Sequence, residues 1–318
     1  IDALFGAGFR HPISDSIFQT LKSLSNLKKP VVAIDLPSGV DGDEGTVHTV
    51  SPKADLTVTF FKHKFGHLLY PGRAYCGEVV VLDIGIPDSL LDEISCNTWI
   101  NEPLLWKHLF PWPKYDDHKY RRGHVLVVSG GVGSTGAARL ASVAAYRVGS
   151  GLVTLACPTD ALSSLTKCEP EFLLALIDSS ASLYDLLLER KRNAVLIGPG
   201  NGLNDNTREN VLSILDTPAA AVIDADALTV FSEYPEELFK VLDETCILTP
   251  HDGEFNRLFP FQKEGGRLSR ARNAAKISGA VIVLKGPDTV VAHPDGRATI
   301  TNISTPFLAT AGSGDVLG

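Results

Sequence analysis

The sequence predicts an α/β protein with a mostly parallel central sheet. Three observations predict it. Short β-branched runs alternate with helix-forming stretches, glycine-rich turns follow several of the runs directly, and a hairpin closes the pattern near the C-terminus. Alternation of this kind favours parallel pairing, because a parallel neighbour is reached only through a long crossover.

Residues 31–35, 56–60 and 79–83 read as buried strands, being short apolar runs rich in Val, Ile and Thr. Residues 125–128, 153–156, 194–197, 221–224 and 280–284 repeat that composition, and a further strand precedes Thr249. Between them, residues 136–148, 206–215 and 267–278 carry helix-forming composition with periodic apolar positions. Residues 290–292 and 298–300 flank Pro294-Asp295-Gly296, which reads as a hairpin. The regularity breaks from residue 86 to residue 120, a stretch with Pro87, Pro103, Pro111, Pro113 and all three Trp. It reads as a connection and the opening of a second domain, dividing the chain into residues 1–94 and 95–318.

A chain of 318 residues accommodates two domains, and 44% hydrophobic with 21% charged residues is ordinary for a globular protein. No apolar run approaches the ~20 residues of a membrane span, which argues against a membrane protein. A net charge of −8 argues against nucleic acid as a partner. Nucleotides stay open, since they need only a local cluster of donors. The five cysteines, Cys76, Cys96, Cys157, Cys168 and Cys246, are scattered with no C-x-x-C, against a disulfide framework or zinc site. A reducing, cytoplasmic setting fits them. There is no Met and both termini are abrupt, so the chain is expected to be an internal piece of a longer protein.

The tail Ala311-Gly312-Ser313-Gly314-Asp315 is the strongest chemical signal. Glycines there let backbone N–H groups converge on a phosphate at a helix N-terminus. Asp315 has the wrong sign to hold phosphate but can take a proton from a hydroxyl beside one. A helix starting near Ser313 needs about ten residues to form and pack. Residues 130–138 follow a strand and open a helix, either as a ligand-facing turn or as a tight connection; without the required Lys they are not a P-loop. Gly198-Pro199-Gly200-Asn201-Gly202 is a second such turn. Asp224 and Asp226 at a strand end either order Mg²⁺ waters or cap the next helix. In residues 249–255, Asp252 reads as a helix cap, while His251 is either structural or a ligand contact. Lys285 ends an apolar run, where it meets a phosphate or only snorkels. In the first domain Asp35 and Ser38 follow a strand and point into a crevice. Asp2 and the Gly6-Ala7-Gly8 turn have the same placement. Asp2 and Ser38 are hard oxygen donors suited to an alkali cation. Lys62, His63, Lys64 and His67 read as a solvated loop rather than a metal site.

Taken together, these motifs resemble the bifunctional NAD(P)H-hydrate repair family, an epimerase domain fused to a nucleotide-dependent dehydratase. The likeness rests on residues 2–8, 35–39, 76–77 and 83–86, then on His118-Lys119, residues 198–200, 224–228 and 250–254, Lys285-Gly286 and the tail. It implies a partial Rossmann-like domain followed by a ribokinase-like domain. It also implies removal of water from the S form of hydrated NADH or NADPH, with the epimerase interconverting R and S forms. By the same resemblance, Asp315 is the base on the C6 hydroxyl, which then attacks the terminal phosphoryl group and leaves phosphorylated. Gly314 touches the nucleotide phosphate, and Lys285, Gly286, Pro287, Asp288 and Thr289 hold the adenylate. Ala137, Gly202 and His251 contact the hydrated dinucleotide. In the epimerase part Asp35 binds substrate, Gly6, Ala7, Gly8, Phe9, Arg10, His11 and Pro12 bind its phosphates, and Asp2 and Ser38 contribute to a K⁺ site. The implied cofactors are ADP or ATP, with ADP favoured by the fusion order, together with Mg²⁺ and K⁺. The rival readings are a small-molecule kinase of the same superfamily, of hydroxymethylpyrimidine or hydroxyethylthiazole type, and a nucleotide-binding module without catalysis. The sequence leaves formation of a homo-oligomer open.

Overall fold

The computed structural model describes residues 1–10, 12–166, 172–188, 192–262, 264–303 and 305–318. His11 and Cys168 therefore lie outside the described residues. Two sheets organise them. The first has three parallel strands in the order β1–β2–β3, formed by Val32–Ile34, Leu56–Phe60 and Glu78–Leu82. Asp2 extends it through a parallel bridge to Ala33.

The second sheet has ten strands: β4 Thr98–Ile100, β5 His124–Val128, β6 Leu152–Cys157, β7 Leu173–Leu176, β8 Ala194–Ile197, β9 Ala220–Ile223, β10 Cys246–Leu248, β11 Val281–Leu284, β12 Val290–Ala292 and β13 Ala298–Ile300. Their order is β4–β13–β12–β11–β10–β9–β8–β5–β6–β7, and β12 alone runs against both neighbours. Along β5 and β8, successive side chains serve opposite faces, as strand periodicity requires. Leu126, Val128, Val195 and Ile197 join one buried cluster with Leu183, Val211, Ile214, Leu268 and Ala271. Val127 and Leu196 join another with Ala138 and Ala141. One face is thus covered by helices Ser180–Leu188, Asp205–Leu215 and Arg267–Ser278, and the other by helix Thr135–Val148.

The expected mostly parallel α/β architecture is present, with local differences. The region taken as irregular contains β4, which pairs parallel to β13 with Thr98 opposite Ala298. A strand of this length acquires its conformation from a partner two hundred residues away. Strand β7, Leu-Leu-Ala-Leu, has no β-branched residue to mark it, and helix Asp15–Ser25 was also unforeseen. The strand expected to include Asp35 stops at Ile34, because Asp35 adopts φ 69°. The tail forms a helix of only 5 residues, Ser313–Leu317. It is anchored at Gly312, where a Cβ would lie 2.8 Å from Leu140 Cδ1 of helix Thr135–Val148.

Candidate active site

In an open parallel sheet, ligand crevices form outside the carboxyl ends of the strands. Here those ends are built largely of main chain. A Cβ on Gly130, after β5, would overlap the carbonyl oxygen of Gly200, after β8. A Cβ on Gly198 would overlap the carbonyl oxygen of Asp224, after β9. The three turns therefore touch backbone to backbone. Asn201 ties them further: its Oδ1 accepts from Gly198 N at 2.6 Å and its Nδ2 donates to Val128 O at 3.3 Å.

The two acids after β9 have separate tasks. Asp226 Oδ2 accepts the N–H of Gly202 at 2.8 Å, so this acid shapes the turn. Asp224, 2% exposed, lies 2.7 Å from Lys285 Nζ. Neither caps the following helix, whose N-cap is Ala225 with no side-chain cap bond. Lys285 does not simply snorkel, and its ammonium lies 3.8 Å from where a Cβ on Gly314 would stand. Asp315, in the first turn of the tail helix, accepts no hydrogen bond among the described residues. Burial pushes its carboxyl above the ordinary range, Asp224 adds to this, and Lys285 opposes it. A raised carboxyl is better matched to proton abstraction near neutral pH.

Around this cluster lie the other expected contacts. Ala137 is half-buried at the start of helix Thr135–Val148, and Gly202 is half-buried in its turn. His251, not Asp252, is the N-cap of helix Asp252–Leu258. The imidazole wins because its Nδ1 reaches two N–H groups at once, those of Gly253 at 2.9 Å and Glu254 at 3.2 Å. Accepting at Nδ1 leaves the proton on Nε2 in the neutral ring, where it lies 3.4 Å from Glu254 Oε1. Asp252 instead pairs with Arg267 Nη1 at 2.8 Å. In the 285–289 turn, Pro287 is exposed, Thr289 Oγ1 donates to Gly286 O at 2.8 Å, and Asp288 is buried at 2% exposure.

A second cluster surrounds Asp35 at the end of β1. Its Oδ2 accepts from Ala7 N at 2.8 Å, and its Oδ1 accepts from Thr59 Oγ1 at 2.9 Å and Lys64 Nζ at 2.8 Å. Gly6 is required beside it, since a Cβ there would come within 2.6 Å of Asp35 Oδ2. Burial pushes the Asp35 carboxyl up, but the bonds from Lys64, Ala7 and Thr59 outweigh it and hold the group below its ordinary range. The loop expected to be solvated is therefore part of this centre. His67 is 3% exposed; its Nδ1 accepts from Lys64 N at 3.0 Å and its Nε2 donates to Asp35 O at 2.6 Å. Burial pushes the His67 pKa down to about 4. Strand β2 lies next to β1, so the residues after Phe60 necessarily emerge beside Asp35; that adjacency was the available signal.

Asp2, 3% exposed, accepts from Ser38 Oγ at 2.6 Å and Ser38 N at 2.7 Å. Their oxygens are thus adjacent, as a shared hard-oxygen cation site would need. Among the described residues no cluster of three or more His, Cys, Asp or Glu is placed to hold a metal. Of the remaining 6–12 segment, Phe9 is buried against Phe5, while Gly8, Arg10 and Pro12 are exposed. The Cys76 thiol, pushed up to about 12 by burial, is inert.

Residues 1–66 match the family described as YjeF-related protein N-terminus. The whole chain is 35% identical to a bifunctional NAD(P)H-hydrate repair enzyme of Thermofilum pendens and 33% identical to one of Coxiella burnetii. It spans 62% and 64% of those relatives. An ADP/ATP-dependent NAD(P)H-hydrate dehydratase from Bacillus subtilis, co-crystallised with ATP/Mg²⁺, superimposes with TM-score 0.59 at 28% identity, covering 70% of this chain and 78% of that one. A ribokinase-like superfamily protein from Enterococcus faecalis gives TM-score 0.62 at 24% identity over 70% and 77%, which shows the shared fold. Residues 125–318, the greater part of the sequence, match the family described as NAD(P)H-hydrate dehydratase, and the chain belongs to that family.

Proposed function

We propose that this chain removes water from hydrated NADH or NADPH at the expense of a nucleotide. Residues 95–318 would carry that reaction, and residues 1–94 would interconvert the hydrate epimers. The observation that carries the reading is the convergence of Asp315, Lys285 and Asp224 at the strand ends, with the Asp315 carboxyl raised.

Asp315 takes the proton of the C6 hydroxyl. The hydroxyl oxygen then bonds to the terminal phosphorus as the bond from phosphorus to the remaining nucleotide breaks. Lys285 offsets charge on the phosphates, and the first-turn N–H groups near Gly314, which lack intrahelical partners, face the transferring group. The electron pair of the ring nitrogen expels the phosphorylated oxygen, and proton loss from the neighbouring carbon restores the double bond, releasing phosphate. Residues 285–289 hold the adenylate, and Ala137, Gly202 and His251 contact the dinucleotide. ADP is favoured over ATP, and similarity to an ADP/ATP-dependent relative supports a donor of this class. Mg²⁺ would enter with the nucleotide, mostly water-bound, and offset phosphate charge.

In the first part, Asp35 stays ionised and binds substrate near the reacting carbon, with Gly6, Ala7, Gly8, Phe9, Arg10 and Pro12 (and His11) near the phosphates. Asp2 and Ser38 would hold K⁺, which would supply fixed positive charge there. A reducing, cytoplasmic setting completes the reading.

The test incubates the chain with hydrated NADH, Mg²⁺ and either ADP or ATP, beside Asp315→Asn, and follows the reduced-nicotinamide absorbance. Nucleotide-dependent recovery abolished by the substitution is expected. A folded chain that gives no recovery, or that accumulates a phosphorylated organic product, would overturn the reading.

A further inference from the structure

The segment after β2 touches both halves of the molecule. At its start, His67 holds the Asp35 carbonyl, as described. The next two residues, Leu68 and Leu69, are buried in the core cluster of the ten-stranded sheet. Tyr70 then donates its N–H to Asp288 Oδ2 at 2.8 Å. The other oxygen, Asp288 Oδ1, lies 3.2 Å from Arg267 Nε. Arg267 in turn donates to the carbonyls of Leu284, at 3.2 Å, and of Lys285. Its guanidinium fills the space that a Cβ on Gly286 would need. Both carboxylate oxygens of Asp288 are therefore engaged away from the crevice, and a carboxylate is in any case the wrong sign to meet a phosphate.

A second bridge crosses in the other direction. Glu44 accepts from Gly266 N and, at 2.8 Å, from Ser269 Oγ. Gly266 is the N-cap of helix Arg267–Ser278, so a carboxylate of the first part sits where the helix dipole favours it, on the helix that presents Arg267.

We propose that Asp288 is a positioning residue: by binding Tyr70 and Arg267 it makes the state of the 285–289 turn and that of the Asp35 centre depend on each other through residues 67–70. The inference rests on the reading of that turn as the nucleotide site. Such coupling is reciprocal: a ligand at either centre shifts affinity at the other by the same factor.

The test measures ADP binding by calorimetry and amide hydrogen exchange with and without ADP, on the full chain, Asp288→Asn and Glu44→Ala. In the wild type, ADP is expected to slow exchange both at 285–289 and at 65–73. In Asp288→Asn, protection at 65–73 is expected to vanish and the ADP Kd to rise about fivefold or more. Glu44→Ala, which leaves the turn itself intact, is expected to change both readouts in the same direction and serves if Asp288→Asn does not fold. Protection confined to 285–289 in the wild type, or variants indistinguishable from it in Kd and protection, would overturn the inference alone. A folded wild type that binds no nucleotide would overturn the functional reading and this inference together.

Discussion

Lys285 Nζ and Asp224 Oδ1 meet at 2.7 Å, reaching past the end of β10, the strand that separates theirs. The pair fixes an ammonium beside the tail turn and holds the buried Asp224 side chain near Asp315. Two acids and one cation share the site, so the outermost acid bears the electrostatic strain.

Asp315→Asn is expected to lower turnover by about 10²–10⁴-fold, the usual contribution of a positioned base, with little change in nucleotide affinity. The folded pKa of Asp315 is raised. Its contribution to stability is therefore present at low pH and lost as pH rises through that pKa. Near neutral pH the Asn variant should melt no lower than the wild type, as thermal scans would show.

Lys285→Met leaves Asp224 as an uncompensated buried charge. A loss of about 3–5 kcal/mol in denaturant unfolding is expected. Removing the cation also raises the Asp315 pKa further, so the acid limb of the kcat/KM profile should move to higher pH.

His67 stays neutral in the fold down to about pH 4. An unfolded histidine takes up its proton near pH 6.5. The unfolded state thus binds more protons across that window, and stability falls as pH drops from about 6.5 toward 4. His67→Gln should flatten this acid slope in urea titrations at pH 7, 5.5 and 4.

Asp35 behaves oppositely to Asp315. Its folded pKa is depressed, so its stabilisation is present above the pKa of an unfolded Asp and disappears as pH falls through the folded value. Lys64→Met should cost about 1–3 kcal/mol near neutral pH, and the gap to wild type should close in acid. Carboxyl NMR titration of Asp35 should show its pKa rising in the variant.

The glycines give a matched pair. Gly130→Ala drives a methyl into the Gly200 carbonyl and should cost about 1–3 kcal/mol or more. At Gly136, a Cβ meets nothing within 4 Å and the residue lies in helix Thr135–Val148. There Ala should be neutral or stabilising by up to about 1 kcal/mol. Urea midpoints of the two variants decide this.

What could be read in advance follows from how local each signal is. The β-branched runs announced β5, β6, β8 and β11, because burial on both faces selects those residues directly. The glycine turns after β5 and β8 were visible for the same reason, although their mutual contact was not. The Leu-rich β7 carried no such mark. His67 was misjudged because its buried partner, the Asp35 carbonyl, lies 32 residues earlier. The bond from Glu44 to Gly266 spans 222 residues and leaves no trace in either segment. Asp252 was taken for the cap because the rule for capping residues favours Asp, whereas the imidazole one position earlier already had both N–H groups in reach.

The pairing of β4 with β13 has a practical consequence. Residues 98–100 act as a selvedge, covering a row of backbone donors and acceptors that would otherwise face solvent. A protein cut to begin at residue 125, where the dehydratase match starts, would uncover that border while leaving the crevice residues in place. One failing would be self-adhesion along the bare strand, seen as concentration-dependent aggregation.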